Sequence, residues 1–389
     1  MAFVILDPGL HMIAGHHFEL DTALLEAASA LGVPGHVFCH RTDNPHLNDH
    51  PSITPFFDVI GWATTRDPML VDLDRFQIQN ERLLGDLRRV SEVIDMEDAT
   101  LLYATASHNS LAAVGRWASE WTVRPRHLFV LLPGHFEFAI KGGAGTLDQL
   151  FYRYGFSQFP SGPDSRVTFL TLSERQAQEF SAIAGRTVER APYPVGDISD
   201  APDPSGTEAT PPRRRRVLTC GSSRDSKGFG LLPEVVRRVT ARRTDVEFVV
   251  QYCPTEDVSA ADIVASGATV IEGYLDRPTY HGLIRSADVL LLPYLGPAYR
   301  IGTSAVFAEA RWFGRPVIAA TETSMATDIA ADSRIGRATH PDPAALVMAL
   351  EAILDDFPAV ARAAALAGED YRRENGTRLL ARRLVGGEA

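Results

Sequence analysis

Cysteine is scarce in this 389-residue sequence, which contains only Cys39, Cys220 and Cys253 and no C-x-x-C pair. Such widely separated cysteines disfavour a structural zinc site and a disulfide framework, and they favour a reducing compartment. No stretch approaches the length of about 20 apolar residues that spans a bilayer, and the first residues lack the basic flank of a secretory signal. We therefore expect a cytoplasmic protein, with attachment to the inner face of a membrane as the open alternative.

Basic residues are outnumbered, with 38 Lys and Arg against 49 Asp and Glu and a net charge of −11. This deficit disfavours a broad nucleic-acid-binding surface, so we expect no nucleic-acid partner, although a local basic site is compatible with it. The chain is more than twice as long as a typical domain of about 150 residues, which predicts two domains.

Short apolar runs alternate with amphipathic stretches along both halves of the chain. This alternation is typical of β-α-β units that form a parallel sheet covered by helices on both faces. Residues 196–216 interrupt it with Pro, Gly, Ser, Thr and Asp, and then with four arginines, which is typical of a linker and a charged lead-in. The sequence therefore predicts an α/β fold of two doubly wound Rossmann-like domains, 1–195 and 217–389, facing a cleft.

Within this scheme, a strand is predicted at 36–40, followed by a polar, proline-bearing loop. A second strand is predicted at 101–106, and Thr105, Ser107 and His108 lie at its end. Residues 343–384 are predicted to be almost wholly helical.

The stretch G-S-S-R-D-S-K-G at 221–228 follows a predicted strand and precedes a helix. Ligands of open α/β sheets bind beyond the carboxyl ends of strands. A guanidinium from Arg224, an ammonium from Lys227 and the N–H groups of a helix start suit a diphosphate. The stretch is neither a P-loop nor a G-x-G-x-x-G motif. The alternative is a surface loop in which Ser226 caps the helix.

A second loop enters a helix through Gly302, Thr303 and Ser304. Unpaired N–H groups and the helix dipole at such a start favour phosphate. Glu309 follows about 7.5 Å further along that helix at the usual rise per residue. Its carboxylate suits the two hydroxyls of a ribose, and the alternative is an exposed helix carboxylate.

Three further patterns are weaker indications of a functional site. A third loop, E-G-Y-L at 272–275, would place Tyr274 and Leu275 beside a nucleobase, or form a plain turn. The loop from Asp7 to His17 carries two adjacent histidines and would face the cleft as a polar site. The D-x-D pattern at 72–74 lies in a helical stretch, where residues two apart point to different faces. No metal site is expected.

Together these loops resemble the GT-B glycosyltransferases, most closely the family 4-like group with its "glycosyl transferases group 1" C-terminal domain. The motifs that carry the resemblance are G-S-S-R-D-S-K-G at 221–228, E-G-Y-L at 272–275, A-D-V-L-L-L-P-Y at 287–294 and S-A-V-F-A-E-A-R-W-F-G-R-P-V-I at 304–318. They cover about residues 217–331 in the order and spacing of that family.

The resemblance implies that Arg224 and Lys227 bind the diphosphate of a nucleotide-sugar and that Glu309 binds its ribose. His135 would lie near the donor sugar, and the last helix would pack back on the first domain. Counting back from Glu309 places Ile301 where the family often has a first glutamate, so Tyr299, Arg300 or Ser304 would take over that contact. The expected donor contacts are Gly15, Gly221, Arg224, Lys227, Tyr274, Leu275, Tyr299, Gly302, Thr303, Ser304 and Glu309, and the expected catalytic residues are His16, His135, Arg224 and Lys227.

The function so implied is transfer of a hexose from a nucleoside diphosphate sugar to a sugar, lipid-linked or protein acceptor, with retention and without a metal or other cofactor, in bacterial-type glycan synthesis. A nucleotide-sugar epimerase and a non-catalytic nucleotide-sugar-binding protein are the alternatives. The aromatic segment 136–159 would be an acceptor wall, a membrane-surface contact or a loop packed on its own domain.

Overall fold

The structure is a computed structural model that describes residues 1–13, 16–61, 72–133, 147–195, 214–253, 259–295 and 298–386. The chain divides into two compact units. Unit 1 comprises Met1–Asp197 together with Asn375–Ala389, and unit 2 comprises Ile198–Glu374. Each unit is built on its own parallel sheet.

The sheet of unit 1 has the strand order β3-β2-β1-β4-β5-β6-β7, with every described pair parallel. Its strands are β1 (Ala2–Asp7), β2 (Gly35–His40), β3 (Ile53–Phe57), β4 (Ala99–Tyr103), β5 (His127–Leu132), β6 (Val167–Thr171) and β7 (Val188–Arg190). Its helices are α1 (His16–Ala30), α2 (Pro45–Asn48), α3 (Asp72–Val93), α4 (Leu111–Ser119), α5 (Leu147–Ser157) and α6 (Glu174–Ala184).

The sheet of unit 2 has the order β10-β9-β8-β11-β12-β13, again parallel throughout its described pairs. Its strands are β8 (Arg215–Thr219), β9 (Val246–Tyr252), β10 (Thr269–Glu272), β11 (Val289–Leu292), β12 (Val317–Ala320) and β13 (Gly336–Thr339). Its helices are α7 (Leu232–Thr240), α8 (Ala260–Ala265), α9 (Arg277–Ser286), α10 (Ala298–Ile301), α11 (Ala305–Trp312), α12 (Ser324–Ala331), α13 (Pro343–Asp355) and α14 (Phe357–Glu374).

The final helix, α15 (Thr377–Val385), belongs to unit 1, where it packs against α1. Leu380, Ala381 and Leu384 lie in the same buried cluster as Phe3 and Ile5 of β1. Just before this helix, the side chain of Asn375 accepts a hydrogen bond from the backbone N–H of Tyr193 at 2.8 Å. The end of the chain therefore completes the core of unit 1.

Buried apolar strands explain why the sheets lie where the sequence predicts them. All four residues of β11 are fully buried, as expected of a central parallel strand. The α/β class and the two doubly wound sheets are confirmed. The prediction of a loop after residue 40 is partly wrong, because α2 and β3 lie within that stretch. β3 contains Pro55 and lies at the sheet edge, where a missing N–H is tolerated.

In both sheets the chain order reverses once. The reversal lies between β1 and β4 in unit 1 and between β8 and β11 in unit 2. The loops that follow these strands diverge at that point and leave a crevice, which is where open α/β sheets bind ligands. We call these two reversals the switch points of the sheets. They are therefore where we expect ligand-binding sites.

Candidate functional site

Lys227 lies at the switch point of unit 2, in the loop that follows β8. Its Nζ is 5.5 Å from the centre of the Tyr294 ring, which follows β11. A Cβ added to Gly221 would lie 2.6 Å from that Nζ and 3.7 Å from Val306 in the first turn of α11. The ammonium group thus lies beside the start of α11, with a glycine leaving room for it.

The charge of Lys227 is uncompensated within the described part of the chain. No described carboxylate lies within ion-pair distance of its ammonium or of the Arg224 guanidinium. Burial lowers the pKa of Lys227, the nearby Cys220 works in the opposite direction, and Arg224 lowers it further. A partly buried ammonium without a counter-ion is costly, so the arrangement favours an anionic ligand.

The loop around Lys227 differs from its prediction in one respect. Asp225–Lys227 forms a 3-10 turn, and helix α7 starts only at Leu232. Lys227 is therefore not at the N-terminus of the following helix, and the predicted helix-start N–H groups are not beside it there. Ser226 does not cap α7, whose N-cap residue is Leu231 with no side-chain cap. Gly228 closes the turn with a φ of +71°.

The start of α11 is the other part of the predicted anion site. Ser304 is its N-cap, and the Ser304 Oγ accepts a hydrogen bond from the N–H of Phe307 at 3.3 Å. The same hydroxyl donates to the Tyr294 hydroxyl at 3.4 Å. Gly302 is buried, and its carbonyl accepts from Ser324. Ser304 is thus a helix cap that also orients the ring beneath Lys227.

Glu309 lies one turn into the body of α11, and its side chain is 14% exposed. Its Oε2 accepts a hydrogen bond from the Tyr280 hydroxyl at 2.8 Å, and its Oε1 lies 3.5 Å from His281 Nε2. Burial raises the pKa of the Cys220 thiol to about 12, and the nearby charge of Glu309 is the second largest cause. Glu309 is therefore neither an exposed carboxylate nor remote from the loop after β8.

Gln251 is a residue that the sequence analysis missed. It is buried at the end of β9, and its Oε1 accepts from the N–H of Gly221 at 3.1 Å. Its Nε2 donates to the carbonyl of Gly273 at 3.2 Å. One amide therefore joins the diphosphate loop to the predicted nucleobase turn. Its only sequence signal was a polar residue inside an apolar strand.

The remaining predicted residues of unit 2 are more exposed. Tyr274 follows the turn with its ring 86% exposed, and Leu275 is half-buried. The Tyr299 ring contacts the Tyr294 ring in a tilted arrangement, with ring centres 4.4 Å apart. Arg224 is exposed and lies near enough to Tyr299 to lower its pKa against the larger effect of burial. The structure thus places Arg224 with the Lys227 group and leaves Tyr274 at the surface.

In unit 1, the described polar group at the end of β1 contains His17 and Asp7. Gly15 and His135 lie outside the described residues, and His16 is the first residue of α1. His17, its neighbour, places Nδ1 2.7 Å from the carboxylate of Asp7 at the end of β1. Thr105 donates to the same carboxylate at 2.9 Å. This group lies at the switch point between β1 and β4.

Four of the five described aromatic residues of the segment pack on their own unit, and Tyr154 is 49% exposed. Phe151, Tyr152, Phe156 and Phe159 are each buried to 7% exposure or less. The Phe151 ring stacks on Phe76 of α3 at 4.0 Å. These four rings therefore cannot form the predicted acceptor wall or membrane contact, while Phe136 and Phe138 lie outside the described residues.

Two features are missing from the described residues. None of their helices is both long and apolar enough to cross a membrane. None of their His, Cys, Asp and Glu side chains forms a group of three or more with the arrangement of a metal site.

Comparisons with known proteins agree with this architecture. Sucrose-phosphate synthase from Thermosynechococcus elongatus matches with a TM-score of 0.65 and 15% identity, over 99% of this chain and 97% of that one. The trehalose-phosphate synthase of Burkholderia xenovorans, solved with glucose-6-phosphate, matches with 0.67 and 13% over 99% of both chains. Anabaena HepE, solved with UDP, matches with 0.63 and 14% over 99% of both chains. No curated protein matches the sequence.

The two doubly wound sheets on one chain define the GT-B fold. Residues 214–356 match the family model "Glycosyl transferases group 1", which begins one residue before β8 and ends just after α13. The chain therefore has the GT-B fold, and the part of its second unit from residue 214 to residue 356 matches the group 1 glycosyl transferase model. The family resemblance of the sequence motifs is confirmed.

Proposed function

We propose that this protein is a glycosyltransferase that moves a hexose from a nucleoside diphosphate sugar to a hydroxyl of an acceptor. The observation that carries the proposal is the uncompensated, partly buried ammonium of Lys227 at the switch point of unit 2. It lies beside the start of α11, whose dipole also favours an anion. A diphosphate would supply the missing negative charge.

The group 1 domain supports this donor class, because it spans the whole Lys227 region. HepE, which shares the fold, was solved with UDP, and the Burkholderia enzyme is a UDP-forming synthase solved with glucose-6-phosphate. Retention of configuration, independence from metals and a place in bacterial-type glycan synthesis rest on the family resemblance. A cytoplasmic location rests on the sequence composition.

In this proposal, cleavage of the anomeric bond leaves negative charge on the departing diphosphate. Lys227, Arg224 and the N-terminus of α11 would stabilise that charge most in the transition state. Glu309 would accept hydrogen bonds from the ribose, next to the Tyr280 hydroxyl that it already binds. The other proposed donor contacts are Gly15, Gly221, Tyr274, Leu275, Tyr299, Gly302, Thr303 and Ser304. The other proposed catalytic residues are His16 and His135.

A thermal-shift screen with UDP-, GDP-, ADP- and TDP-sugars tests the donor class, because a ligand stabilises the folded state in proportion to its affinity. One of them should raise Tm, and it should serve as donor for transfer in the presence of EDTA. Donor incubated alone should yield no epimer. Formation of an epimer, or binding without transfer to any acceptor, would favour one of the two alternative functions.

Lys227→Met tests whether the ammonium group of Lys227 binds the diphosphate of the donor. Loss of a charged contact to phosphate should weaken donor binding about 10- to 100-fold, as measured by calorimetry. Arg242→Ala is the matched control, because Arg242 is an exposed cation of the same unit that pairs with Glu351. Equal donor affinity in wild type and Lys227→Met would contradict the proposal.

A further inference from the structure

The carboxylate of Glu309 is held by two consecutive residues of α9. The Tyr280 hydroxyl donates a hydrogen bond to its Oε2 at 2.8 Å, and His281 places Nε2 3.5 Å from its Oε1. One contact therefore falls on each carboxylate oxygen. Rotation of the carboxylate away from this orientation would break the hydrogen bond from Tyr280, so α9 determines which way the group faces.

The Tyr280 hydroxyl keeps its proton at neutral pH. Burial is the largest cause that raises the pKa of Tyr280 well above its ordinary value, and the neighbouring Cys220 and Glu309 add to it. A neutral phenol has one proton to donate, and a carboxylate can only accept. The hydrogen bond therefore runs from Tyr280 to Glu309.

Packing between α9 and α11 keeps this arrangement in place. The His281 side chain is buried, and its ring meets the ring of Phe313 in a T-shaped contact with centres 5.8 Å apart. Phe313 ends α11 four residues after Glu309, so both side chains lie on the same face of that helix. That face is the one turned toward α9, because His281 contacts both of them.

Glu309 retains capacity for further hydrogen bonds. A carboxylate has about four acceptor positions, and Tyr280 is the one hydrogen-bond donor to Glu309 among the described residues. The Glu309 side chain is 14% exposed, so it is not closed to a ligand. A mostly buried carboxylate with one hydrogen bond is under-satisfied, and two vicinal hydroxyls would supply the missing donors.

We propose that Tyr280 is a positioning residue, which orients the Glu309 carboxylate toward both hydroxyls of a ribose and so selects ribonucleoside over 2′-deoxyribonucleoside diphosphates. A 2′-deoxyribose offers this carboxylate one hydroxyl instead of two and leaves an acceptor unpaired in a mostly buried place. UDP-, GDP- and ADP-sugars therefore form the donor class, and TDP-sugars, which carry a 2′-deoxyribose, are rejected. The inference rests on the donor binding of the proposed function and not on the transfer step.

Calorimetry with matched pairs of nucleotides tests this selectivity. UDP, GDP and ADP, each with its 2′-deoxy counterpart, and TDP are titrated into the full chain. For the base that wild type binds most tightly, the ribose form should bind about 10- to 100-fold more tightly than the 2′-deoxy form. Tyr280→Phe keeps the ring and removes the hydroxyl, so this ratio should fall at least about threefold.

Two further variants separate positioning of Glu309 from a merely structural role. Tyr371→Phe is the matched control, because it removes the hydroxyl of another buried tyrosine of unit 2 and should leave the ratio at the wild-type value. Lys227→Met should weaken both members of a pair by the same factor, since the diphosphate is common to them. A structural role of Tyr280 would lower Tm without changing the ratio.

An unchanged ratio in a folded Tyr280→Phe would overturn the inference. So would a wild type that binds a 2′-deoxy form or TDP as tightly as the best ribose form. Both results would leave the donor proposal standing, because a nucleoside diphosphate would still bind to unit 2. Failure of the wild type to bind any of these nucleotides is a different result, which would overturn the donor proposal and the inference together.

Discussion

The two switch points handle charge in opposite ways. In unit 1, Asp7 is surrounded by donors and sits beside a cation-forming imidazole, so the protein compensates its own charge. In unit 2, Lys227 has an aromatic ring and a thiol as neighbours and no described carboxylate within ion-pair distance. The same topology therefore offers one site that is electrically balanced and one that needs an anion.

This difference bears on what each site can recognise. A balanced group discriminates by the geometry of its hydrogen bonds, and an uncompensated cation discriminates first by charge. Lys227 is also one of only two lysines in the chain, the other being Lys141. An ammonium is a compact point charge on a flexible stem, in contrast to the planar fork of arginine.

The largest effect is expected from the backbone that supports the unit 2 site. Gly228 has a φ of +71°, and a Cβ there would lie 2.1 Å from the carbonyl oxygen of Pro293. Gly228→Ala should lower the free energy of unfolding by roughly 2–5 kcal/mol, as measured by urea denaturation. Gly9→Ala should cost less, because the group it displaces is the ring of His17 and not backbone.

Gly282→Ala is the control for Gly228→Ala. Gly282 lies within α9, and a Cβ there would meet nothing within 4 Å. Gly282→Ala should raise the free energy of unfolding by about 0.5–1 kcal/mol, because alanine has a higher helix propensity than glycine. A Gly228→Ala protein as stable as this control would mean that the loop after β8 is not packed against the end of β11.

A smaller effect with a distinctive pH dependence is expected at Asp21. Asp21 is fully buried in α1, and burial raises its folded-state pKa, so the unfolded state ionises first as the pH rises from about 4. The wild type therefore loses stability between the ordinary pKa of an aspartate and the raised one. Asp21→Asn does not titrate, so its Tm should exceed that of wild type by an amount that widens with pH to a few degrees. A constant difference between pH 4 and pH 8 would show that Asp21 ionises normally.

The smallest effect is expected from Lys227→Met in the absence of ligand. The pKa of Lys227 is lowered, so the unfolded state binds its proton more tightly than the folded state does. Below the lowered pKa the wild type carries the full cost of a buried ammonium, and this cost disappears as the pH rises toward the ordinary lysine value. The variant should therefore have a modestly higher Tm at pH 7 than wild type and a smaller advantage near pH 10. A lower Tm for the variant at pH 7 would indicate that an anion-like partner already neutralises Lys227.

Most of the fold follows from the apolar pattern, and the missed strands show where that pattern is too weak. β5 coincides with a continuous apolar run, and α6 begins directly after its capping residue Ser173. β3 and β13 were not predicted, and both are edge strands. An edge strand pairs on one side only, so Pro55 and the polar G-R-A-T of β13 are tolerated there.

The loops that we propose to bind the donor were predictable because short motifs determine them, whereas the contact between Asp7 and His17 was not. Asp7 and His17 are ten residues apart, and their contact depends on the path of the intervening loop. His16 and His17 are adjacent and identical, so the sequence alone does not indicate which of them contacts Asp7.

The last helix has a consequence for the order in which the protein forms during synthesis. α15 supplies buried side chains to the core that surrounds β1, although about 370 residues separate them in the chain. The amino-terminal half therefore leaves the ribosome with an incomplete core and can be finished only after the whole of unit 2 has been translated. A fragment ending at the linker would expose the apolar surface that Leu380 and Leu384 cover, so the first unit can be isolated only if the final helix is grafted onto it.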